Sequence, residues 1–207
     1  MPTPAPAAGA ACPADRHKIT TRGGARTTTR AAALDDHEMV SAMHARSSPQ
    51  SRYSRYQTGR RNLTLAEWAG LIKPDHGLSW VTCAVDDPSR VVAVSHLLFT
   101  DTAGVGELGV LVEDAWQTLG LGTALVRHAL AQAQCLGLHT VLVVTDSSNH
   151  RMRGICRRLG ARTLRVEGNV VDLALPVPDR SPTRGGDRSC RASVQHAVVP
   201  RPARSRR

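Results

Sequence analysis

Aromatic residues are scarce in this chain: three Trp, two Tyr and one Phe among 207 residues. That scarcity counts against modules that stack bases on aromatic side chains, such as RNA-recognition folds. No uninterrupted apolar run reaches the roughly 18 residues that a transmembrane helix needs. The cysteines are few, odd in number and never spaced C-x-x-C: Cys12, Cys83, Cys135, Cys156 and Cys190. Neither a zinc site nor a disulfide framework is expected, and a reducing compartment fits. Lysine is almost missing, with Lys18 and Lys73 the exceptions among 27 basic residues. Neither a basic n-region nor a Leu-rich stretch follows Met1, so the start makes a poor signal peptide and the cytoplasm is expected.

What is present reads as one folded body with two tails. The length suits a single domain, and 41% hydrophobic with 21% charged residues is ordinary for a globular protein. The net charge of +10 resembles a nucleic-acid signal, but its location argues otherwise. Residues 1–30 carry 5 Lys/Arg and 1 acid, and residues 178–207 carry 8 Arg and 2 acids. The stretch 31–177 holds 14 basic and 14 acidic residues and is neutral. Basic ends bind nucleic acid weakly at best; they read first as solvated, disordered extensions. The expected organisation is a disordered tail over 1–26, a domain over 27–177 and a disordered Arg-rich tail over 178–207.

Within that body, Thr27 to Arg30 suits a short edge strand. Asp35-Asp36 precede a helix through Met43, capped by an Asp and ended by Ser47-Ser48-Pro49. Residues 50–63 are polar and Arg-rich. Thr64 and Glu67 form a capping-box pair for a short helix ending at Leu71. Two runs, 80–85 and 90–99, flank Asp86-Asp87-Pro88-Ser89 as a hairpin, and 105–112 adds a third strand. A helix runs from Gly120 to Leu136, with Gly137 as its stop. Residues 140–145 form an apolar strand that belongs inside a sheet. A helix over 149–159 stops at Gly160, and a hairpin over 162–175 follows. A helix crossing from 105–112 to 140–145 makes those two strands parallel. The fold class is α/β: a mixed, mostly antiparallel central sheet with flanking helices.

One segment carries chemistry: Glu107-Leu-Gly-Val-Leu-Val-Glu-Asp-Ala-Trp-Gln-Thr-Leu-Gly-Leu-Gly-Thr123. A strand passes through a glycine-containing turn into a helix. The first N–H groups of that helix have no intrahelical partner and the macrodipole is positive there, so this end suits phosphate or pyrophosphate. Gly120 and Gly122 let a ligand approach the backbone. A Walker loop is excluded, because Gly122 is followed by Thr123-Ala124 rather than Lys and Ser/Thr. Gly104-Val-Gly106-Glu-Leu-Gly109 matches a dinucleotide fingerprint by letter, but it leads into a strand. The remaining pattern is Q-x-x-G-x-G, met by Gln117, Gly120 and Gly122.

On these residues the chain resembles the GNAT superfamily of acetyl-coenzyme A dependent N-acetyltransferases. Asn149, Met152, Ile155, Cys156, Gly160 and Ala161 fall at the offsets of that family's N-x-x-A-x-x-L-Y-x-x-x-G-F pattern. Ser48-Pro-Gln-Ser51-Arg-Tyr53-Ser-Arg-Tyr56 is similar to the S-P-x-S-R-Y-x-R-F segment of a bacterial subgroup that includes protein lysine acetyltransferase domains. The resemblance spans roughly Thr27 to Val177.

The resemblance implies acetyl-CoA as cosubstrate, no metal, and direct attack of an amine on the thioester. The acceptor would be a protein lysine or a small-molecule amine. Leu111 and Val112 would pair with the pantetheine arm, and an N–H near Leu111 would polarise the thioester carbonyl. Gln117 would shape the loop, and the amides of Thr118, Leu119, Gly120, Leu121, Gly122 and Thr123 would hold the pyrophosphate. Asn149 would sit on the cofactor side or cap the last helix. Glu107 is the candidate general base, because an alkyl ammonium of pKa about 10.4 must lose a proton before attack. Gly109, on the same strand face, would leave room for substrate.

Cys156 stands where many members carry Tyr, and is either a general acid or core packing. Arg151 and Arg153 either reach the coenzyme or lie on a solvated face. Tyr53, Arg55 and Tyr56, on a loop before the second helix, either line the acceptor cleft or pin that loop to the core. His37 and His44 lack a third metal ligand. Two other functions stay open at this point: a catalytically silent acyl-CoA-sensing domain, and a nucleic-acid binder acting through its tails.

Overall fold

Residues 26–31 and 140–145 alternate buried with more exposed side chains, whereas 80–84 and 91–97 are buried throughout, as the middle of a sheet covered on both faces requires. In the computed structural model, which describes residues 16–56 and 63–178, eight strands form one sheet in the order β1-β2-β3-β4-β5-β6-β8-β7. They are β1 (Arg16–Thr20), β2 (Arg26–Ala31), β3 (Gly77–Ala84), β4 (Val91–Phe99), β5 (Val105–Val112), β6 (Thr140–Asp146), β7 (Arg162–Glu167) and β8 (Val170–Pro176). Five α-helices flank it: α1 (His37–Arg46), α2 (Pro49–Tyr56), α3 (Leu65–Leu71), α4 (Leu121–Cys135) and α5 (His150–Arg158).

Helices cover both faces of the sheet. On one, Val126, Ala129 and Ala133 of α4 and Cys156 of α5 pack on Leu97, Leu108, Val141 and Val143. On the other, Val40 and Met43 of α1 and Trp68 of α3 pack on Val81, Val94 and Leu111. Leu108 and Leu111 thus belong to opposite faces, as the period of a strand requires. The expected mixed α/β architecture is the one observed. The β3–β4 and β7–β8 hairpins, the parallel β5–β6 pair and the interior position of β6 all agree with the sequence.

Three expectations need correction. Residues 16–20, which lie in the stretch expected to be tail, form β1, paired antiparallel with β2. The pattern is short, and only Ile19 on it is buried, so composition outweighed periodicity. Residues 50–56 are helical rather than loop. Pro49 opens α2 at the helix position that loses nothing by lacking an N–H, and the Ser48 hydroxyl accepts the Ser51 N–H at 3.2 Å. Finally, the Asp36 side chain does not cap α1. It accepts the Ala33 N–H at 2.8 Å and takes both guanidinium nitrogens of Arg30 at 2.7 and 2.6 Å. A bidentate ionic pair outcompetes a neutral cap.

Thr64 and Glu67 do form the capping box of α3. Gly137 and Gly160 end α4 and α5 with φ of 72° and 82°. Cys83 and Cys156 are free and buried. The expected tails over 1–15 and 179–207 lie outside the described residues. No helix among the described residues is long and apolar enough to cross a membrane.

Candidate active site

Strands β5 and β6 begin side by side and then part. Their parallel pairing covers only Val105 to Glu107 opposite Thr140 to Leu142. Past that point β5 keeps β4 as its partner, β6 keeps β8, and a wedge opens between them. The chain leaving β5 turns through a 3₁₀ turn at Asp114–Trp116 and enters α4. Thr118 adopts φ 62° and Gly120 φ 90°, and no side chain caps α4. The first N–H groups of α4 are therefore left to face the wedge.

Side-chain hydrogen bonds fix this loop. The Gln117 amide donates to the Val112 carbonyl at 2.8 Å and to the Ser51 hydroxyl at 3.0 Å. The Arg151 guanidinium donates to the Gln117 carbonyl oxygen. Asp114 accepts the Ser48 N–H at 2.7 Å and the hydroxyls of Ser48 and Ser51 at 2.9 and 2.8 Å. Burial alone would raise the Asp114 carboxyl pKa; those hydrogen bonds outweigh it and hold the pKa below its ordinary value. The Ser48-Pro-Gln-Ser51 segment thus straps α2 to the loop, making α2 a wall of the wedge.

The resulting cleft measures about 550 Å³. Arg22, Arg55, Arg151 and Arg158 line it, and among the described residues no carboxylate does. A second cleft of about 860 Å³ lies beside it, lined by Leu71, Leu98, Phe99, Glu67, Asp75, Asp101 and Glu107. Arg55 lines both. Glu107 is exposed on β5 at the edge of the second cleft.

Residues 39–161 match the profile of the Acetyltransferase (GNAT) family. This chain belongs to that family. A Pseudomonas aeruginosa acetyltransferase is 28% identical to it over 129 residues, covering 61% of this chain and 69% of the relative. The GNAT domain of an S. lividans protein titled PAT superposes with a TM-score of 0.70 at 21% identity, covering 78% of this chain and 96% of that domain. A spermidine N-acetyltransferase from Vibrio cholerae, solved with CoA and spermine, gives 0.59 at 14% identity, with coverage of 73% and 95%.

Within this GNAT chain, Leu111, Val112, Gln117, Thr118, Gly120, Gly122, Thr123 and Asn149 all line the first cleft. The Leu121 side chain instead points into the core with no exposure, and the Leu119 carbonyl accepts the Arg22 N–H at 2.8 Å. Asn149 caps α5: its side-chain oxygen accepts the Met152 N–H at 3.1 Å, and its amide donates to the Thr145 hydroxyl at 2.9 Å. Cys156 has no exposure, belongs to the core and lines neither cleft. Burial pushes its thiol up to about 11.

Tyr56 pins α2 to α1. Its hydroxyl donates to His44 Nε2 at 2.6 Å, while His44 Nδ1 donates to the Val40 carbonyl at 2.9 Å. The Asn169 amide donates to the Tyr53 hydroxyl at 3.3 Å, tying α2 to the β7–β8 turn. Among the described residues no cluster of His, Cys, Asp or Glu could hold a metal.

Two arginines at the first cleft escaped sequence reasoning in different ways. Arg22 arrives on a β1–β2 turn that was read as tail. For Arg55 the sequence leaves open lining the acceptor cleft or pinning its loop; the space expected for substrate beside Gly109 holds its guanidinium. A Cβ at Gly109 would lie 2.1 Å from Arg55 Cζ.

Proposed function

We propose that the chain transfers an acetyl group from acetyl-CoA to a primary amine by direct attack. The observation that carries this reading is the wedge past Glu107, which runs into the uncapped N-terminus of α4. An extended arm would lie beside Leu111 and Val112. The N–H groups at the start of α4 would take the pyrophosphate, with Arg22 and Arg151 adding positive charge. The carboxylates around the second cleft suit a cationic acceptor, whether a protein lysine or a small amine.

Glu107 would accept the ammonium proton. The neutral amine nitrogen then bonds to the thioester carbon and becomes cationic, the carbonyl becomes an oxyanion, and the C–S bond breaks as the carbonyl reforms and the nitrogen releases its second proton to solvent. The coenzyme leaves as a thiolate and takes a proton from solvent. Burial of Cys156 favours the silent acyl-CoA sensor as a second reading; the carboxylate of Glu107 in the acceptor cleft speaks for turnover.

Calorimetric titration of acetyl-CoA into the full chain, with Gly120→Glu as control, tests the coenzyme site. Thiol release with a panel of amines then tests transfer. Glu107→Gln should lower kcat about 100-fold or more at unchanged coenzyme affinity. Coenzyme binding without thiol release for any amine would leave the sensor.

A further inference from the structure

Arg55 is a half-buried cation at the border of the two clefts. It makes no hydrogen bond or ion pair with any described residue, and its Nε is closed to solvent and unsatisfied. What it touches is the Tyr56 ring, with Cζ 5.0 Å from the centroid, and the bare backbone of Gly109. Burial lowers its pKa from the ordinary value, with Tyr56 and Glu107 opposing, but a guanidinium stays charged throughout. A partly buried guanidinium whose Nε finds no hydrogen-bond acceptor among the described residues is costly to hold, and such a group calls for an explanation.

The position supplies one. Arg55 borders the coenzyme cleft and the acceptor cleft at once. The acetyl group must change hands where those two clefts meet. His96, paired with Gly109 across β4 and β5, is fully buried and its Nε2 has no partner. Burial, with Arg55 and His44 adding to it, keeps the His96 pKa well below its ordinary value, so it adds no second charge. His44 is likewise held neutral, with a pKa of about 4. Glu107 is the carboxylate on this side that couples to Arg55. Cys156, the residue in register for an acid, lies sealed in the core.

We propose that Arg55 is a catalytic residue of the acetyl transfer, stabilising the departing coenzyme thiolate in place of a general acid. When the C–S bond breaks, its electron pair stays on sulfur, and the guanidinium balances that charge until solvent supplies the proton. The inference rests on the acetyl-transfer reading above. A preorganised charge in a water-poor site needs no rearrangement as the thiolate forms.

The test uses the full chain, with acetyl-CoA affinity by calorimetry and thiol release measured on the same samples. Arg55→Gln should lower kcat about 100-fold or more, the size expected for one transition-state donor. Its coenzyme Kd should stay within about threefold, because the charge answered is absent from the ground state. Arg55→Lys, which keeps the charge, should recover at least a tenth of the wild-type kcat, and added methylguanidine should raise the rate of Arg55→Gln. A kcat for Arg55→Gln within about threefold of wild type overturns the proposal. So does an Arg55→Lys protein that binds coenzyme yet is as slow as the Gln variant, since a packing role would predict that. If Arg55→Gln does not fold, Arg55→Lys decides alone on the same criterion. Coenzyme binding by the unaltered chain without thiol release for any amine overturns the transfer reading, and the role of Arg55 with it.

Discussion

The guanidinium of Arg55 occupies the space that a side chain at Gly109 would need. A Cβ there would fall 2.1 Å from Cζ, 2.2 Å from Nη2 and 2.4 Å from Nε. Glycine at 109 is thus what lets an arginine from α2 reach the junction of the two clefts. Gly109→Ala tests the dependence. The backbone at 109 needs no left-handed conformation, and the clashing atoms are the tip of a flexible side chain. Stability should therefore change by less than about 1 kcal/mol, while displacement of Arg55 lowers kcat about tenfold or more. Thermal melts and thiol release on one preparation check both halves.

Asp114 is the anchor through which α2 holds the coenzyme cleft. Three hydrogen bonds converge on it from Ser48 and Ser51. Asp114→Ala should release the N-terminus of α2 from the loop and leave Gln117 sharing Ser51 with solvent. Acetyl-CoA affinity should fall roughly tenfold, about 1.4 kcal/mol. Calorimetry measures it. An unchanged Kd would mean that the loop holds its shape without α2.

Cys156 is packing. It has no exposure and sits among Val126, Val141 and Val171. A thiol pushed up to about 11 stays protonated at neutral pH and lines neither cleft. Cys156→Ala should leave kcat within about twofold and cost about 1 kcal/mol of stability through the small cavity it opens. A large fall in kcat with stability kept would return the thiol to the chemistry.

These relationships differ in how far the sequence discloses them. The β5 to α4 passage was legible because one short segment carries strand alternation, Gln117, Gly120 and Gly122 in a fixed register. Asn149 was legible as a cap, since the residue type and the helix after it agree. The helical state of residues 50–56 was not. Arg52, Ser54 and Arg55 give no apolar stripe, and what holds α2 is Asp114, sixty-odd residues away. The β1 strand was hidden for a similar reason: its partner β2 supplies the pairing that its own composition does not advertise. Arg55 was visible as a residue near the acceptor, but its pairing with Gly109 depends on two elements meeting in space.

Histidine burial gives the fold an acid-sensitive range separate from that of its carboxylates. The His44 pKa is lowered to about 4, chiefly by burial, with the backbone of Val40 opposing and nearby Arg52 and Arg55 adding to the fall. His128, stacked on His17 and edge-on to Trp80, is also lowered to about 4, chiefly by burial. Unfolded histidine titrates near 6.5. Between about pH 6.5 and 4 the unfolded chain therefore binds protons that the folded chain refuses, so stability falls as pH falls across that range. His44 alone accounts for roughly 3 kcal/mol if its whole shift is expressed. Asp36 and Asp114 act lower down: their folded pKa values lie below 3.8, so their contribution holds above that pH and is lost beneath it. Denaturant melts should therefore show stability declining from pH 7 to pH 4.5, before the carboxylates matter. His44→Gln should be less stable at pH 7, through loss of the Tyr56 and Val40 hydrogen bonds, yet show a shallower decline towards pH 4.5. An equally steep decline in that variant would assign the acid sensitivity to His96 and His128 instead.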